Sequence, residues 1–490
     1  MNIRLYNARI LTMERDRPIF RGEVWVRDER IAYILTEDTM DKVQSMDKVP
    51  SRDRVQSMVR VPSMDRAPSR DRVQTMDRVQ SMDKVLPMDK TQSRRAKAKK
   101  EFPEIPEVTW DKEIDCKENL LMPGFKNAHT HSAMTFLRSY ADDVPLQEWL
   151  EEKVFPMEAK LSPEDIYHLT RLAVLEYLTS GITAIFDMYL IPDQTAQACI
   201  DTGMRCVLTS GLNNFTSSLE QQEEEYRKWN NADPLVSYQL GFHSEYTCSR
   251  ELLEGMAALA RRNHAPVYTH LAETLKEVEG CKERYGMTPA VFLDQLGMFE
   301  YGGGGYHCVH MSFEDMDVFE KRGLHVVTNP ASNLKLASGI APVLEYVFRG
   351  IPVAIGTDGP ASNNCLDMFR EMFLVSGLSK VREKDAASLD AAEVLRMATV
   401  EGADAMGLSD ANILAEGKLA DMILIDMHQP NMQPVHNPVK NLVYSGSKSN
   451  IAMTMINGRI LYQDGEFHVG ASPEEIYGKC EGIVRRILSS

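Results

Sequence analysis

The sequence lacks several features that would assign it to a common class of protein. None of its eight cysteines forms a C-x-x-C pair, which excludes a structural zinc module and a thioredoxin-type redox motif. It has no apolar run long enough to cross a bilayer and no signal-peptide segment at its start. The formal net charge of −16 argues against a general nucleic-acid binder. We therefore expect a cytoplasmic protein with neither a membrane nor a nucleic acid among its partners.

Residues 38–100 differ from the rest of the chain because a six-residue pattern, such as MDKVQS or RDRVQS, is repeated there. This segment holds 16 lysine and arginine residues against nine aspartates, and four prolines interrupt it. It contains no aromatic residue, so it has little with which to build a packed core. The pattern predicts a disordered, low-complexity insertion at the surface. A β-helix of hexapeptide repeats is the alternative, although the repeat has no glycine.

After residue 120, short β-branched runs alternate with amphipathic stretches that have helical spacing, such as 163–180 and 250–263. Eight strands separated by helices predict a parallel (β/α)8 barrel over residues 121–414. The strands are predicted at 121–131, 182–189, 205–211, 236–243, 266–273, 306–311, 325–330 and 352–358.

The carboxyl ends of these predicted strands carry an unusual number of polar side chains, including six of the twelve histidines of the chain. His129 and His131 are two residues apart, so both point to one face of a strand. His270 ends the fifth strand and Asp358 ends the eighth. Active sites of such barrels lie at these ends, and neutral imidazoles are typical zinc ligands. The sequence therefore predicts a metal site of His129, His131, His270 and Asp358, with hydrogen-bonded structural histidines as the alternative.

Three further residues are candidates for proton transfer or its support. Glu273 lies three residues after His270, which suits a general acid/base next to a metal-activated water. A helix-terminal residue favoured by the dipole is the alternative for Glu273. His307 is predicted to orient or shuttle a proton, and His310 to support the site from behind or to be structural.

The segments MPGFKNAHTH, THLAET, HCVHMS, NPASNLKLASGIAPV and GTDGPASNN resemble the amidohydrolase superfamily. Within it they are similar to the branch of 5′-methylthioadenosine/S-adenosylhomocysteine deaminases. The resemblance covers about residues 1–36 and 105–475. It implies a small β-sandwich domain built from both chain ends, at 1–36, 105–120 and 415–470, followed by a C-terminal helix at 471–490. Strands at 3–13, 24–34, 421–426 and 451–462, with an Asn457-Gly458 turn, are consistent with that domain.

The resemblance also implies roles for individual residues. His129, His131, His270 and Asp358 match the family's ligands for one divalent metal, with zinc favoured over iron or manganese. Glu273 matches the acid/base that protonates N1 of an adenine, His307 the imidazole near the attacking water, and Asp358 the group that accepts its proton. Glu158 and His243 match residues that hold the ribose hydroxyls, so that Glu158, His243, Glu273 and Asp358 contact the substrate. The implied reaction converts an adenine nucleoside to its inosine analogue and ammonia.

One departure from the family pattern bears on the substrate. Members that accept S-adenosylhomocysteine carry arginines after the third strand, whereas Ser210 stands there and 212–220 contains no basic residue. Uncharged 5′-substituents are therefore expected, as in 5′-methylthioadenosine, adenosine or 5′-deoxyadenosine, unless Arg138 or Lys153 reaches the site. The alternatives are a guanine or triazine deaminase or chlorohydrolase on the same scaffold, and a non-catalytic assembly protein that kept the barrel. A homo-oligomer is compatible with this composition.

Overall fold

The computed structural model describes residues 1–39, 108–145 and 148–489. Almost all of the hexad repeat lies outside these residues, so the predicted insertion at 38–100 stays a prediction. Met1–Glu37 and the chain from Trp110 onward form one compact unit, and Asp38–Thr109 is a separate unit.

The described chain contains eighteen strands, which fall into three sheets. In chain order they are β1 (Asn2–Ile10), β2 (Phe20–Arg27), β3 (Arg30–Thr36), β4 (Lys112–Asp115), β5 (Leu120–Pro123), β6 (Phe125–Thr130), β7 (Ile182–Tyr189), β8 (Arg205–Ser210), β9 (Val236–Tyr238), β10 (Leu240–Ser244), β11 (Val267–Leu271), β12 (Gly303–His307), β13 (His325–Thr328), β14 (Val353–Ile355), β15 (Met422–Ile425), β16 (Ile451–Ile456), β17 (Arg459–Gln463) and β18 (Glu466–Phe467).

Both ends of the described chain meet in a nine-stranded mixed sheet of order β18-β17-β16-β15-β5-β1-β2-β3, with β4 paired to β1. Apolar side chains of β1, β2, β5, β15 and β16 share one core. The predicted hairpin turn is present between β16 and β17, where Asn457 and Gly458 both have positive φ. The predicted single strand 24–34 is wrong, because the chain turns at Asp28 and forms the β2–β3 hairpin.

Two parallel sheets follow, a four-stranded one of order β6-β7-β8-β9 and a five-stranded one of order β10-β11-β12-β13-β14. The backbone N–H groups of Thr357 and Asp358, just after β14, donate to the carbonyl of His129 on β6 at 3.1 and 3.0 Å. At the other edge, Gln239 N–H donates to Leu208 O and His243 N–H to Leu212 O, both at 2.9 Å. Side chains of β6, β7, β8 and β11 to β14 pack in one core. The two sheets are therefore joined by hydrogen bonds at both edges.

Helices connect the parallel strands, as the alternating sequence pattern predicts. The predicted helix at 250–263 is confirmed with the same bounds, and the one at 163–180 ends one residue earlier. The α-helices of the described chain are Phe155–Glu158, Pro163–Thr179, Pro192–Thr202, Leu219–Ala232, Arg250–Asn263, Leu275–Tyr285, Pro289–Gln295, Phe313–Arg322, Pro330–Lys335, Val343–Phe348, Met368–Glu383, Ala391–Met397, Val400–Ala405, Pro438–Tyr444 and Pro473–Ser489. Short 3-10 turns cover Ser132–Leu137, Glu245–Thr247, Ser409–Ala411, Pro430–Met432 and Lys448–Asn450, and a π-helical turn covers Trp149–Val154.

The predicted first strand, 121–131, is divided between two sheets. Its first part is β5 in the mixed sheet and its second part is β6 in the parallel sheet. Pro123 ends β5, and Gly124 separates it from β6. A Cβ on Gly124 would lie 2.0 Å from Thr183 Cγ2. The break leaves β6 to end at the histidines. None of the described helices is both long and apolar enough to cross a membrane.

Candidate active site

Four imidazoles and a carboxylate converge where the parallel strands end. His129 is fully buried on β6, and its ring centroid lies 4.8 Å from that of His131 and 4.9 Å from that of His270. The His307 ring, at the end of β12, is 5.9 Å from the His129 ring. Asp358 Oδ1 lies 3.2 Å from Nε2 of His131 and 3.6 Å from Nε2 of His129. The geometry thus brings together residues that are far apart along the chain.

One compact group of potential metal ligands shares three residues with the predicted ligand set. His129, His270, His307 and Asp358 each offer one ligand atom, and those atoms all lie within 4.8 Å of one another. His131 is adjacent through its contact with Asp358 Oδ1 rather than a member of this set. The predicted ligands His129, His131, His270 and Asp358 therefore lie side by side, with His307 among them.

Hydrogen bonds orient three of the imidazoles so that Nε2 is left for the centre of the cluster. Nδ1 of His270 is 2.7 Å from the His243 carbonyl, and Nδ1 of His131 contacts the Met188 carbonyl. Nδ1 of His307 is 2.7 Å from Asn333 Oδ1. A proton on Nδ1 held by an oxygen acceptor leaves a lone pair on Nε2, which is the usual arrangement of histidine ligands.

His129 provides the test of whether these residues fit a cation. Neither of its ring nitrogens has a hydrogen-bond partner among the residues that the structure describes, although the ring is fully buried. A buried polar atom without a partner is costly, and a bound ion, a water molecule or a ligand can satisfy it. The residues present therefore fit a divalent metal ion bound between the imidazoles and Asp358.

The electrostatics of the cluster favour neutral His129 and His270 imidazoles and an ionised Asp358 carboxylate that holds a proton on His131. Burial lowers the pKa of His129 to about 3, and burial together with the neighbouring imidazoles holds the pKa of His270 well below its usual range. Burial alone would raise the pKa of Asp358, but the adjacent His129 and His131 hold it well below its usual value. Burial likewise opposes protonation of His131, yet the Asp358 carboxylate raises its pKa to about 9. The field of the cluster therefore attracts positive charge.

Two serine hydroxyls hold the Asp358 carboxylate in place. Ser332 Oγ donates to Oδ2 at 2.5 Å, and Ser362 Oγ donates to the same oxygen at 2.7 Å. Because Oδ2 accepts both bonds, Oδ1 is the oxygen that faces His129 and His131. Asp358 is thus oriented as a single-oxygen ligand or proton acceptor.

Glu273, the predicted acid/base, lies just after β11 and is almost fully buried. Ser338 Oγ donates to its Oε1 at 3.1 Å, and His307 Nδ1 is 4.0 Å from the same oxygen. His310 Nε2 contacts the Ser338 carbonyl at 2.7 Å. The structure therefore brings His307 to the cluster, while His310 contacts the residue whose hydroxyl binds Glu273.

The two predicted ribose-binding residues flank the cluster. His243, at the end of β10, has its ring 4.9 Å from that of His270, and its Nδ1 contacts Ser244 Oγ at 3.0 Å. Glu158 ends a short helix and is buried, with no hydrogen-bond partner for its Oε1 in the described chain. Burial raises the pKa of Glu158 to about 7, and the neighbouring Tyr189 hydroxyl partly opposes this shift. An unpaired acceptor in this position suits a hydroxyl donor.

Sequence reasoning missed the residues that orient the polar groups. Ser332, Asn333 and Ser338 lie within NPASNLKLASGIAPV, and Ser362 lies within GTDGPASNN. The signal was present, because each motif packs several small polar residues directly after a strand end. These residues could not be singled out from the sequence, because hydroxyl and amide side chains are common in turns for other reasons.

Residues 120–461 match the family described as the amidohydrolase family. A 5-methylthioadenosine/S-adenosylhomocysteine deaminase from Desulforamulus reducens is 43% identical over 360 residues, which cover 72% of this chain and 83% of the relative. A 5′-deoxyadenosine deaminase from Methanothermobacter thermautotrophicus is 40% identical over 366 residues, covering 73% and 86%.

Among solved structures, an adenosine deaminase from Xanthomonas campestris with bound zinc is similar to this chain. The similarity covers 100% of this chain and 99% of the solved one, with a TM-score of 0.82 and 27% sequence identity. Together with the histidine and aspartate cluster, this neighbour indicates a site for a divalent metal ion.

Proposed function

The chain belongs to the amidohydrolase family, and on that premise we propose that it is a metal-dependent hydrolytic deaminase of adenine nucleosides. The observation that carries the proposal is the convergence of His129, His270, His307 and Asp358 within 4.8 Å, with Glu273 next to His307. The substrate is a small molecule, and its reacting ring would bind between this cluster and Glu273.

The proposed ligands of the metal are His129, His131, His270 and Asp358, and the proposed ion is zinc, with iron or manganese as alternatives. The ion, when bound, supplies a Lewis acid that brings the pKa of water to about 7. Orientation of the imidazoles falls to the chain itself, through the His243 and Met188 carbonyls.

The proton movements are assigned to this chain's own carboxylates. Water adds to C6 of the adenine, and one of its protons passes to Asp358 Oδ1, the oxygen left free by the two serine hydroxyls. Glu273 delivers a proton to N1, which makes C6 electrophilic. His307, oriented by Asn333, would stabilise the oxygen that adds to C6. The C6–N bond then breaks and the amino group leaves as ammonia with the proton held by Asp358. The proton that remains on the new C6 hydroxyl returns to the Glu273 carboxylate as the C6=O bond forms, so the 6-oxo purine is released with N1 protonated.

The ribose is assigned to Glu158 and His243. Glu158 Oε1 lacks a partner among the described residues, so a ribose hydroxyl would satisfy it. Nδ1 of His243 contacts the hydroxyls of Ser244 and Thr247. Its Nε2 makes no hydrogen bond to the residues that the structure describes. A ribose pair of this kind favours a nucleoside over the bare heterocycle of a guanine or triazine substrate.

We further propose that the preferred nucleosides carry an uncharged 5′-substituent. Arg138 is engaged by Glu176 Oε2 at 2.5 Å, and Lys335 by Asp142 Oδ1 at 2.6 Å. Ser210, the last residue of β8, pairs its hydroxyl with that of Ser217 at 3.4 Å. A substrate carboxylate would therefore have to compete with Glu176 or Asp142 for a cation. S-adenosylhomocysteine should be the weaker substrate.

The finer architecture is part of the same proposal. We infer that the two parallel sheets form one (β/α)8 barrel over 121–414, because hydrogen bonds join them at both edges and one side-chain core lies between them. The strands of both chain ends, at 1–36, 105–120 and 415–470, would form the small β-sandwich, since they share a core of their own. The helix Pro473–Ser489 would then be the separate C-terminal element.

The proposal is tested by a substrate panel on protein whose metal content has been measured. Ammonia release is followed for 5′-methylthioadenosine, adenosine, 5′-deoxyadenosine, S-adenosylhomocysteine, guanine and an aminotriazine. We expect kcat/KM for S-adenosylhomocysteine to be lower by about tenfold or more, since an unpaired charge costs at least 1–3 kcal/mol. The variant Lys153→Ala decides whether that side chain serves a substrate carboxylate.

Each other outcome identifies an alternative. Faster turnover of guanine or the triazine would contradict the nucleoside assignment. Absence of ammonia release from every compound, with less than one equivalent of bound metal, would support a non-catalytic assembly protein instead. Comparable kcat/KM for S-adenosylhomocysteine would overturn the 5′-preference alone.

A further inference from the structure

Two α-helices of the described chain begin with an ordinary capping box. They can be compared with the start of a third helix near the site. At Pro163–Thr179, the N-cap residue Ser162 donates its backbone N–H to Asp165 Oδ2 at 2.6 Å. At Phe313–Arg322, the N-cap residue Ser312 does the same to Asp315 Oδ2 at 3.0 Å. In both cases the acidic residue three positions after the N-cap closes back on the N-cap itself.

The helix Leu275–Tyr285, which follows β11, is arranged differently. Its N-cap Thr274 accepts from the N–H of Glu277 at 3.2 Å, as in an ordinary cap. The Glu277 carboxylate, however, reaches past Thr274. Its Oε1 accepts from the N–H of Ala272 at 2.6 Å, and its Oε2 accepts from the N–H of Glu273 at 2.8 Å. The extra methylene of glutamate over aspartate allows this longer reach.

The backbone that Glu277 binds is strained and lies within the active site. Ala272 has a φ of 49°, in the left-handed region that alanine rarely adopts. Such a conformation persists only where surrounding contacts hold it. Besides Glu277, the Ala272 carbonyl accepts from the N–H of His310 at 2.8 Å. This turn separates His270 from Glu273, so its conformation sets the direction of the Glu273 side chain relative to the cluster.

We propose that Glu277 is a positioning residue for the acid/base Glu273, because both of its carboxylate oxygens fix the left-handed turn that carries Glu273. Glu277 is 5% exposed and is buried behind the turn. Its role is therefore exerted through the Glu273 backbone. This inference rests on the proposed function, in which Glu273 transfers a proton to the substrate ring.

The decisive variant is Glu277→Asp, because it separates the helix cap from the turn. The shorter carboxylate can close an ordinary capping box on the Thr274 N–H, as Asp165 and Asp315 do for their helices, but it cannot span to Ala272 and Glu273. We expect kcat to fall by about 10- to 100-fold, since a misplacement of about 1 Å can cost that much. KM and bound metal should change little, because Glu158, His243 and the imidazoles are untouched.

Two further variants complete the design. Glu277→Gln keeps the side-chain length but presents an amide NH2 to one of the two N–H donors, so kcat should fall here as well. Asp165→Glu is the matched control, since it adds the same methylene group in a capping box far from the cluster along the chain. It should leave kcat and KM for the nucleoside unchanged.

The result that overturns the proposal is wild-type kcat in Glu277→Asp, or a loss of kcat that merely follows a loss of bound metal or of melting temperature. Crystal structures of the wild type and Glu277→Asp supply a readout that does not need activity. The wild type should keep Ala272 left-handed and the variant should not. A wild-type protein that deaminates no nucleoside would refute the proposed function, whereas an unchanged Ala272 turn in the variant would refute only the role of Glu277.

Discussion

The hydroxyl bonds to Asp358 lead to a quantitative prediction about metal affinity. Ser332 Oγ, on the helix Pro330–Lys335, donates to Oδ2 at 2.5 Å, and Asp358 Oδ1 faces His131 and His129. Replacing Ser332 with alanine removes this bond, keeps a helix-favouring residue and leaves every candidate metal ligand in the chain. The carboxylate should then rotate more freely about its side-chain bonds, so that Oδ1 is less well aligned with the imidazoles.

The size of the effect follows from the kind of bond that is lost. A hydrogen bond to a charged group contributes about 1.5–3 kcal/mol, and loss of a residue that orients a metal ligand typically costs 10–100-fold in metal affinity. These two figures agree, because about 1.4 kcal/mol corresponds to a factor of ten. Ser362 donates to the same Oδ2 but also contacts the Gly359 carbonyl. Ser332→Ala should therefore weaken zinc binding by about tenfold or more, and the double variant with Ser362→Ala should weaken it further.

The assay is competition for Zn²⁺ between the metal-free protein and a chromophoric chelator, with folding followed by circular dichroism. Ser379→Ala is the matched control, because Ser379 is also a buried helical serine and its hydroxyl has no hydrogen-bond partner within the described residues. That control should keep the wild-type affinity. Unchanged zinc affinity in the double variant, or an equal loss in Ser379→Ala, would refute the assignment of Asp358 as a ligand held by the two hydroxyls.

Three other perturbations test the buried charges outside the site and the independence of the site from the repeat segment. Arg205→Met should lower the free energy of unfolding by about 3–5 kcal/mol in denaturant, because it leaves the buried Asp421 without its ion-pair partner. In the wild type, Asp421 Oδ2 lies 2.6 Å from Arg205 Nε. A change near zero would contradict this. Burial lowers the pKa of Lys126 from 10.5 to about 8, so the unfolded chain binds more protons between those values. The unfolding free energy of the wild type relative to Lys126→Met should therefore rise by about 3 kcal/mol from pH 8 to above pH 10, and a flat difference across this range would refute the shift. Deleting residues 39–100 should change kcat by no more than a few fold, since every candidate site residue follows residue 120; a large loss would show that the repeat acts on the site.

The parts of the fold that could be predicted are those with a regular period or a clear terminator. The helix Arg250–Asn263 has both, because apolar residues follow the helical spacing and Ser249 caps its start. The β2–β3 hairpin was missed because Asp28 turns the chain with positive φ and no glycine or proline marks the place. The division of 121–131 had a signal in the Pro123-Gly124 pair, but the apolar run on either side of it concealed the change of sheet.

The site could be predicted to the extent that its residues are chemically rare. Histidines and a terminal aspartate at strand ends stand out, so His129, His270 and Asp358 were found from the sequence. Which imidazoles face a bound metal depends on ring directions that spacing does not contain, and His307 lies among the proposed ligands, with His131 next to them through Asp358 Oδ1. Hydroxyl groups such as that of Ser332 occur in most turns, so their role became apparent only from the distance to Asp358.

The residues that hold the loops of the site could not be recognised from the sequence, because they are buried carboxylates near helix starts. Glu371, in the helix Met368–Glu383, accepts from the N–H of Ala331 at 3.1 Å and from Asn363 Nδ2 at 2.8 Å. It therefore joins the segment after β13, which carries Ser332, to the segment after β14, which carries Asp358. Glu277 does the same for the turn before Glu273. In the sequence both look like solvated helix acids, since acidic residues are favoured in a first turn. Their burial identifies them as the groups that hold the loops. Loops that carry reactive side chains need such anchors because the parallel strands end before them.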